Sequence, residues 1–293
     1  MFDWDDLRIF LTVARLKRIA PAARALKMDG TTIARRLGRL AQALDAQLFE
    51  QVGAERVLTE RGAALLRHAE IVEGSALAAV EDVKGERHSL NGHVRLSAAE
   101  GFGTWILAPG LPAFHARHPG IHIDLVTASG FLNPSKREAD MAVMLARPQS
   151  GYLSVQRLAD YRLHLYAAPD YLARRGVPDS RAALRDHVLI GYVPEFLFSP
   201  ELDYIDEVYA GLEASLRSSS IGIQRRFVSD GAGIGVLPDF MAVHDPRLTR
   251  VLGEDVEITR SFWLVTHRDM AKLARVMAVS DLVRKQAAAA LGG

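Results

Sequence analysis

The 293-residue chain contains no cysteine. Neither a disulfide frame nor a thiolate metal site can therefore form. No apolar run approaches the roughly 18 residues of a spanning helix, so no membrane segment is expected. The opening Met1-Phe2-Asp3-Trp4-Asp5-Asp6 is acidic and leads straight into a helical pattern. It lacks a basic segment and a small-residue cleavage site, so it does not read as a leader, and the cytoplasm is the expected location. An excess of one charge is also missing, with 36 Lys and Arg against 35 Asp and Glu. Any anion-binding surface must then come from local clustering. No G-x-S-x-G nucleophile motif occurs, so catalysis is not indicated and no cofactor is implied.

What is present is ordinary in bulk and uneven in detail. The apolar content of 49% suits a soluble globular protein, and the length exceeds what one core usually supports, so two or more domains are expected. From Arg15 to Arg39 the charged residues are Arg15, Lys17, Arg18, Arg24, Lys27, Arg35, Arg36 and Arg39, with Asp29 as the single acid. This basic run coincides with two short helical patterns. Ala22, Ala23 and Leu26 mark the first, Lys27–Gly30 breaks it, and Asp29 is placed to cap the second. The second carries Ile33, Leu37 and Leu40 on one face and Thr31, Thr32, Arg35, Arg36 and Arg39 on the other. A short helix, a turn and a basic-faced helix is the layout of a helix-turn-helix over residues 19–38.

The flanking segments extend that reading. Trp4, Leu7, Phe10, Leu11 and Ala14 form an amphipathic helix able to cover the pair. Gln51–Val57 reads as a hairpin wing that places Arg56 near a phosphate backbone or minor groove. Thr59 is placed to cap a long helix with Leu65, Ala69, Val72, Ala76, Ala79 and Val83 at alternating spacings of 4 and 3. That period is a coiled-coil seam for dimerisation, although one such face could instead dock on its own chain. Gly85–His93 is a polar linker.

Beyond the linker, strand and helix patterns alternate. Strands are predicted at Val94–Ser97, Ile121–Thr127, Met141–Leu145, Leu163–Ala168, Val188–Tyr192, Ile234–Leu237 and Phe262–Val265. Helices are predicted at Thr104–His115, near Asp170–Arg175 and Ser180–Asp186, at Ser220–Asp230, and at Asp269–Lys285. The alternation implies parallel or mixed sheets wrapped by helices, arranged as two small sheets facing a cleft.

Several segments together resemble the LysR-type transcriptional regulators: D-L-R-I-F-L-T-V-A (6–14), A-A-R-A-L (22–26), R-L-G-R-L (36–40), L-F-E (48–50) and L-T-E-R-G (58–62). H-P-G-I-H-I-D-L (118–125), A-D-M-A-V (139–143), Y-A-A-P-D-Y-L (166–172) and G-A-G-I-G-V-L-P (231–238) continue the match. The resemblance implies an α+β multidomain protein: a winged helix-turn-helix (1–62), a linker and dimerisation helix (59–88), and a two-lobed, periplasmic-binding-protein-like α/β effector domain (92–293). Lobe one would comprise about 92–162 and 265–293, and lobe two about 163–264. The implied partners are double-stranded DNA, a second copy of the chain as homodimer and then homotetramer, and a small organic effector. The implied activity is sequence-specific transcriptional control. A cytoplasmic small-molecule-binding protein without operator recognition, or an enzyme on the two-lobed fold, would leave the basic helix unexplained.

The chain departs from the family pattern where DNA is read. Ser-Gln commonly opens the recognition helix, and here those positions look like Asp29-Gly30, which removes a side chain able to pair bidentately with adenine. Ala34 and Ala41 replace a frequent serine and glutamate. Thr31 and Thr32 could still meet thymine methyls or phosphates, and Arg35 or Arg36 guanine or phosphate. For the effector, the resemblance points to Glu100-Gly101-Phe102, Ser129-Gly130, Tyr192-Val193 and Ala232-Gly233. Glu100 would repel an anion there. The ligand is then cationic, zwitterionic or donor-rich, or Glu100 is protonated or turned away; alternatively it caps a helix or pairs with a base.

Gly231–Gly235 looks like a dinucleotide loop, but a strand pattern follows it, so a structural turn is the better reading. His115, His118 and His122 straddle Pro119 between a helix end and a strand, so a metal site is not expected. Ser218-Ser219-Ser220 reads as a strand end and helix cap.

Overall fold

A computed structural model describes residues 3–83, 90–127, 139–148, 153–268 and 270–292. The chain divides into two compact units, residues 1–87 and 88–293. In the first, α1 (Trp4–Leu16) is capped by Asp3, whose carboxylate accepts from Asp5 N at 3.0 Å. Its acids Asp5 and Asp6 favour the positive end of the helix dipole. Two helices follow, α2 (Ile19–Leu26) and α3 (Gly30–Ala43). Lys17 and Lys27 take left-handed conformations (φ 57° and 52°), which turn the chain sharply after α1 and α2. Ile33, Leu37 and Leu40 are buried with Ile9, Phe10 and Val13 of α1 in one core, as their spacing predicted.

A hairpin of β1 (Phe49–Val52) and β2 (Glu55–Leu58) forms the wing. Arg56 N donates to Lys17 O at 2.7 Å, which ties the wing to the turn after α1. The long α4 (Glu60–Val83) begins with Thr59 Oγ1 accepting from Gly62 N at 2.9 Å. Gly62 itself lies against the backbone ahead of β1: a Cβ there would sit 2.0 Å from Leu48 O.

The predicted seam on α4 divides. Ala69 is buried and Leu65 half-buried against the helix-turn-helix core, whereas Val72, Ala76, Ala79 and Val83 are exposed. The first two positions therefore dock on their own chain, and only the last four are left for a partner. Of the linker read over residues 85–93, residues 85–89 lie outside the described residues.

The second unit is built on β3 (Gly92–Ala98), β4 (Ile121–Val126), β5 (Met141–Met144), β6 (Leu153–Ala167), β7 (Leu189–Gly191), β8 (Leu216–Arg217), β9 (Ile234–Pro238), β10 (Thr249–Val251) and β11 (Ile258–His267). The expected pair of small sheets is in fact one continuous nine-stranded sheet among the described residues, ordered β4-β3-β5-β11-β6-β9-β7-β8 with β10 on β6. The cause is the length of β6 and β11, which pair antiparallel from Leu153↔His267 to Leu163↔Ile258. They lie side by side at the middle of the sheet, and their register shifts between Phe262 and Trp263.

The helices are α5 (Leu111–Arg117), α6 (Pro169–Arg175), α7 (Ile205–Val208), α8 (Ile221–Ser229), α9 (Asp239–Ala242) and α10 (Ala274–Leu291). The helix expected over Thr104–His115 is broken into a π-helical turn (Phe102–Leu107), a 3₁₀ turn (Ala108–Gly110) and α5. Pro109 and Pro112 lack the amide donors a continuous helix would use. Ala182–Asp186 is a 3₁₀ turn, and the last helix starts at Ala274, after a 3₁₀ turn at Met270–Lys272. The turn at Gly231 leads into β9, not into a helix, as the sequence indicated.

Candidate functional site

Two surfaces carry the candidate residues. On α3, Asp29 accepts from Thr31 N at 2.8 Å and from Thr31 Oγ1, and this bonding holds its carboxyl below the usual range. Thr31, Ala34, Arg35 and Gly38 are exposed at the i, i+3, i+4, i+7 spacing of one helix face, with Thr32 half-buried beside them. The Arg35 guanidinium has no partner among the described residues.

Arg36 and Arg39 turn instead toward α1, which corrects the expectation of a single basic face. Arg36 Nε donates to Asp6 Oδ1 at 2.6 Å, Nη1 to Asp5 Oδ2 at 2.6 Å and Nη2 to Asp3 Oδ2 at 2.9 Å. Arg39 Nη2 reaches Asp6 at 2.9 Å and Asp3 at 3.4 Å. Asp6 is fully buried, and a buried carboxylate requires charge compensation. Burial opposes the charge on Arg36, but the bonds to Asp6 and Asp5 outweigh it and raise its pKa. The signal was in the sequence: the acidic opening is the counterpart of these two arginines. Arg56 is half-buried on β2, next to the Arg18–Glu55 ion pair at 3.5 Å.

The second surface is a cleft where β6 and β11 cross. It is a small, partly open cavity of about 40 Å³. Glu100, Gly101, Phe102 and Tyr192 line it, together with Thr127, Leu145, Tyr161, Phe198, Leu202, Tyr204, Ser219, Ile221, Pro238, Phe240, Met241 and Phe262. Val193, Ala232 and Gly233 do not. Ala232 and Gly233 lead into β9 at Ile234, and it is the far end of that strand, at Pro238, that reaches the cleft. Ser129 and Gly130 lie outside the described residues.

The walls are aromatic. Tyr161 stacks on Phe262 with centroids 4.2 Å apart, and Tyr192 meets Tyr204 edge-on at 6.1 Å. Burial, with neighbouring phenols adding to it, pushes Tyr161 and Tyr192 well above the usual phenol range, and burial raises Tyr204 as well. All three therefore stay neutral at physiological pH. Tyr161 and Phe262 escaped the sequence reading because they sit on the crossing strands, and the first half of β6 is too polar to read as a strand.

Glu100 is the acid in this cleft, and it is bound. Its Oε1 accepts from Ser220 Oγ at 2.8 Å and its Oε2 from Ile221 N at 3.1 Å, at the start of α8. Ser220 also caps α8 itself, accepting from Ile223 N at 3.1 Å. The capping alternative for Glu100 is thus the observed one, and the helix it caps is α8. Of the histidines, His122 stacks on His93 at 4.9 Å and His118 lies against Phe114 at 4.7 Å. Among the described residues no three metal-ligating side chains of the His, Cys, Asp and Glu set converge.

A helix-turn-helix with a wing, on one chain with a two-lobed unit that encloses an aromatic cleft, defines a class: DNA-binding regulators that answer to a small molecule. Residues 4–63 match the family described as "Bacterial regulatory helix-turn-helix protein, lysR family", and residues 87–288 match "LysR substrate binding domain". The Mau operon transcriptional activator of Paracoccus denitrificans is 30% identical over 263 residues, covering 90% of this chain and 89% of that protein. The HTH-type transcriptional regulator CrgA of Neisseria meningitidis is 27% identical over 285 residues, covering 95% of each. Its solved structure aligns with a TM-score of 0.61 at 25% identity over 98% of this chain and 99% of that one. ArgP from Mycobacterium tuberculosis shares the fold, with a TM-score of 0.69 at 16% identity over 98% of both chains. The chain belongs to the LysR-type transcriptional regulators: it is a DNA-binding regulator with an effector-binding domain, and not an enzyme. Among the described residues no helix is long and apolar enough to cross a membrane.

Proposed function

We propose that this regulator works in the cytoplasm as a homodimer, paired into a homotetramer, that reads duplex DNA through the outer face of α3. Thr31 and Arg35 would enter the major groove, Thr32 would stand at its edge, and Arg56 on the wing would reach the backbone. Arg36 and Arg39 would fix α3 against α1 and contribute little to DNA directly. The observation that carries this reading is the unpartnered Arg35 on an otherwise small-residue face, where Ala34 and Gly38 leave room for close approach. Pairing would use the exposed Val72, Ala76, Ala79 and Val83 of α4.

The effector is a small organic molecule that enters the cleft between the lobes and favours one of two lobe arrangements, since only differential affinity can move such an equilibrium. Glu100, Gly101, Phe102 and Tyr192 would contact it. The test is selection of bound genomic fragments at two salt concentrations with full-length protein and Arg35→Ala. Recovery of a few sites with inverted half-sites, lost in the variant, is the expected result. Salt-sensitive binding without sequence preference in both proteins would overturn it.

A further inference from the structure

We infer that Glu100 is a built-in anion: its carboxylate occupies the seat at the start of α8 that an acidic effector would otherwise take, latches the two lobes together, and restricts the cleft to ligands that are neutral or cationic at that end. The inference rests on the reading of the cleft as the effector site.

Three observations on different elements support it. First, the two carboxylate oxygens take separate donors, Ser220 Oγ at 2.8 Å and Ile221 N at 3.1 Å, from the lobe opposite the one that carries Glu100. Second, the approach depends on Gly222, where a Cβ would stand 2.8 Å from Glu100 Oε1. Third, the same helix is held to the same lobe a turn further on: the Arg225 guanidinium lies over the Trp105 ring, 5.6 Å from its centroid. The amide at the helix start and the capping hydroxyl favour negative charge, and Glu100 supplies it from within the chain. A second anion would meet a satisfied donor set and a like charge. The rest of the cleft offers aromatic faces and buried neutral phenols, which suit an apolar body and, through ring faces, an ammonium group.

The experiment uses full-length protein, with thermal unfolding read by circular dichroism. Sodium acetate probes the seat alone, sodium benzoate probes the seat together with the aromatic cleft, and sodium chloride at equal ionic strength is the reference. Wild-type protein should respond to neither carboxylate beyond chloride. Glu100→Ala should lower Tm by roughly 3–6 °C, and acetate should restore it saturably, with benzoate acting at lower concentration. A Glu100→Ala protein that folds and shows no saturable rescue, or a wild type stabilised as much as the variant, overturns the latch. Rescue by acetate with benzoate no better leaves the latch standing and removes the cleft as a ligand site. If Glu100→Ala does not fold, a double-mutant cycle of Glu100→Gln and Ser220→Ala decides. Losses in Tm that are less than additive support the contact, and additive losses overturn it.

Discussion

At the residue scale, the arginines of α3 show how one residue type divides between a buried ion-pair cluster and an exposed face, the one proposed above to meet DNA. Arg36 is mostly buried among Asp3, Asp5 and Asp6, and Asp6 has no exposed surface. Arg36→Ala should cost roughly 2–3 kcal/mol, since Arg39 is left to compensate the buried carboxylate alone. Urea unfolding would measure this, and a loss below half a kcal/mol would contradict the clamp. Arg35→Ala should leave urea stability unchanged, because that side chain is exposed and its guanidinium has no partner among the described residues, while weakening operator binding in a mobility-shift titration. A helical wheel sets Arg35 opposite the apolar face and Arg36 at its edge, but it does not show what Arg36 meets there. Arg35 and Arg36 are adjacent, and the direction of α1, which brings three aspartates to one of them, distinguishes their roles.

At the element scale, α4 carries the corresponding lesson. Its seam was legible as a spacing of apolar positions, but spacing does not say what covers them. Ala69 faces the core of its own domain and Val83 is almost wholly exposed. Ala69→Glu should therefore unfold the first domain, whereas Ala76→Glu or Val83→Glu should leave the circular dichroism intact and shift sedimentation toward monomer. A dimer that survives both exposed substitutions would place pairing elsewhere. The strands tell a similar story. β9 is buried along its length and reads directly as an apolar run, whereas β6 is half-exposed in its first half, where Gln156, Arg157 and Asp160 interrupt the pattern. With that half unread, its partner β11 looked short, and the single sheet looked like two. The family resemblance located four cleft residues, at the end of β3 and after β7. It missed those on the crossing strands and on the far end of β9, because a motif marks chain position and not which end of a strand faces the cavity.

At the scale of the whole molecule, the second unit contains several buried phenols that must stay protonated. Burial raises Tyr166 to about 12, Arg250 opposing the rise and the Asp239 carboxylate, which its hydroxyl bonds at 2.8 Å, adding to it; Tyr161, Tyr192 and Tyr204 move in the same direction. A folded pKa above the unfolded value near 10 means the stabilisation is complete below pH 10 and is lost as pH rises through the folded value. The protein should therefore lose stability steeply between about pH 10 and 12. Absorbance at 295 nm should show these tyrosines ionising only as the fold is lost. Ionisation of more than three of the seven tyrosines near pH 10 in native protein would contradict their burial. At the acid end, hydrogen bonding from Arg247 holds Asp245 at about 2, so its contribution persists until pH falls from about 4 toward that value.

The aspartates at the start of α1 have one more consequence, for the thermodynamics of DNA binding. DNA affinity falls with salt in proportion to the phosphates neutralised, because each contact releases condensed cations, with a slope of roughly 0.9 per contact. Arg36 and Arg39 already carry covalently tethered counterions in Asp3, Asp5 and Asp6. On the proposed docking they would displace no cations from the duplex, so the slope should count Arg35 and its like but not these two. Arg35→Ala should flatten the slope by about 0.9, and Arg39→Ala should leave it unchanged. By carrying its own counterions, the protein would keep an arginine-dense helix on the proposed DNA face without the full salt dependence that density would bring.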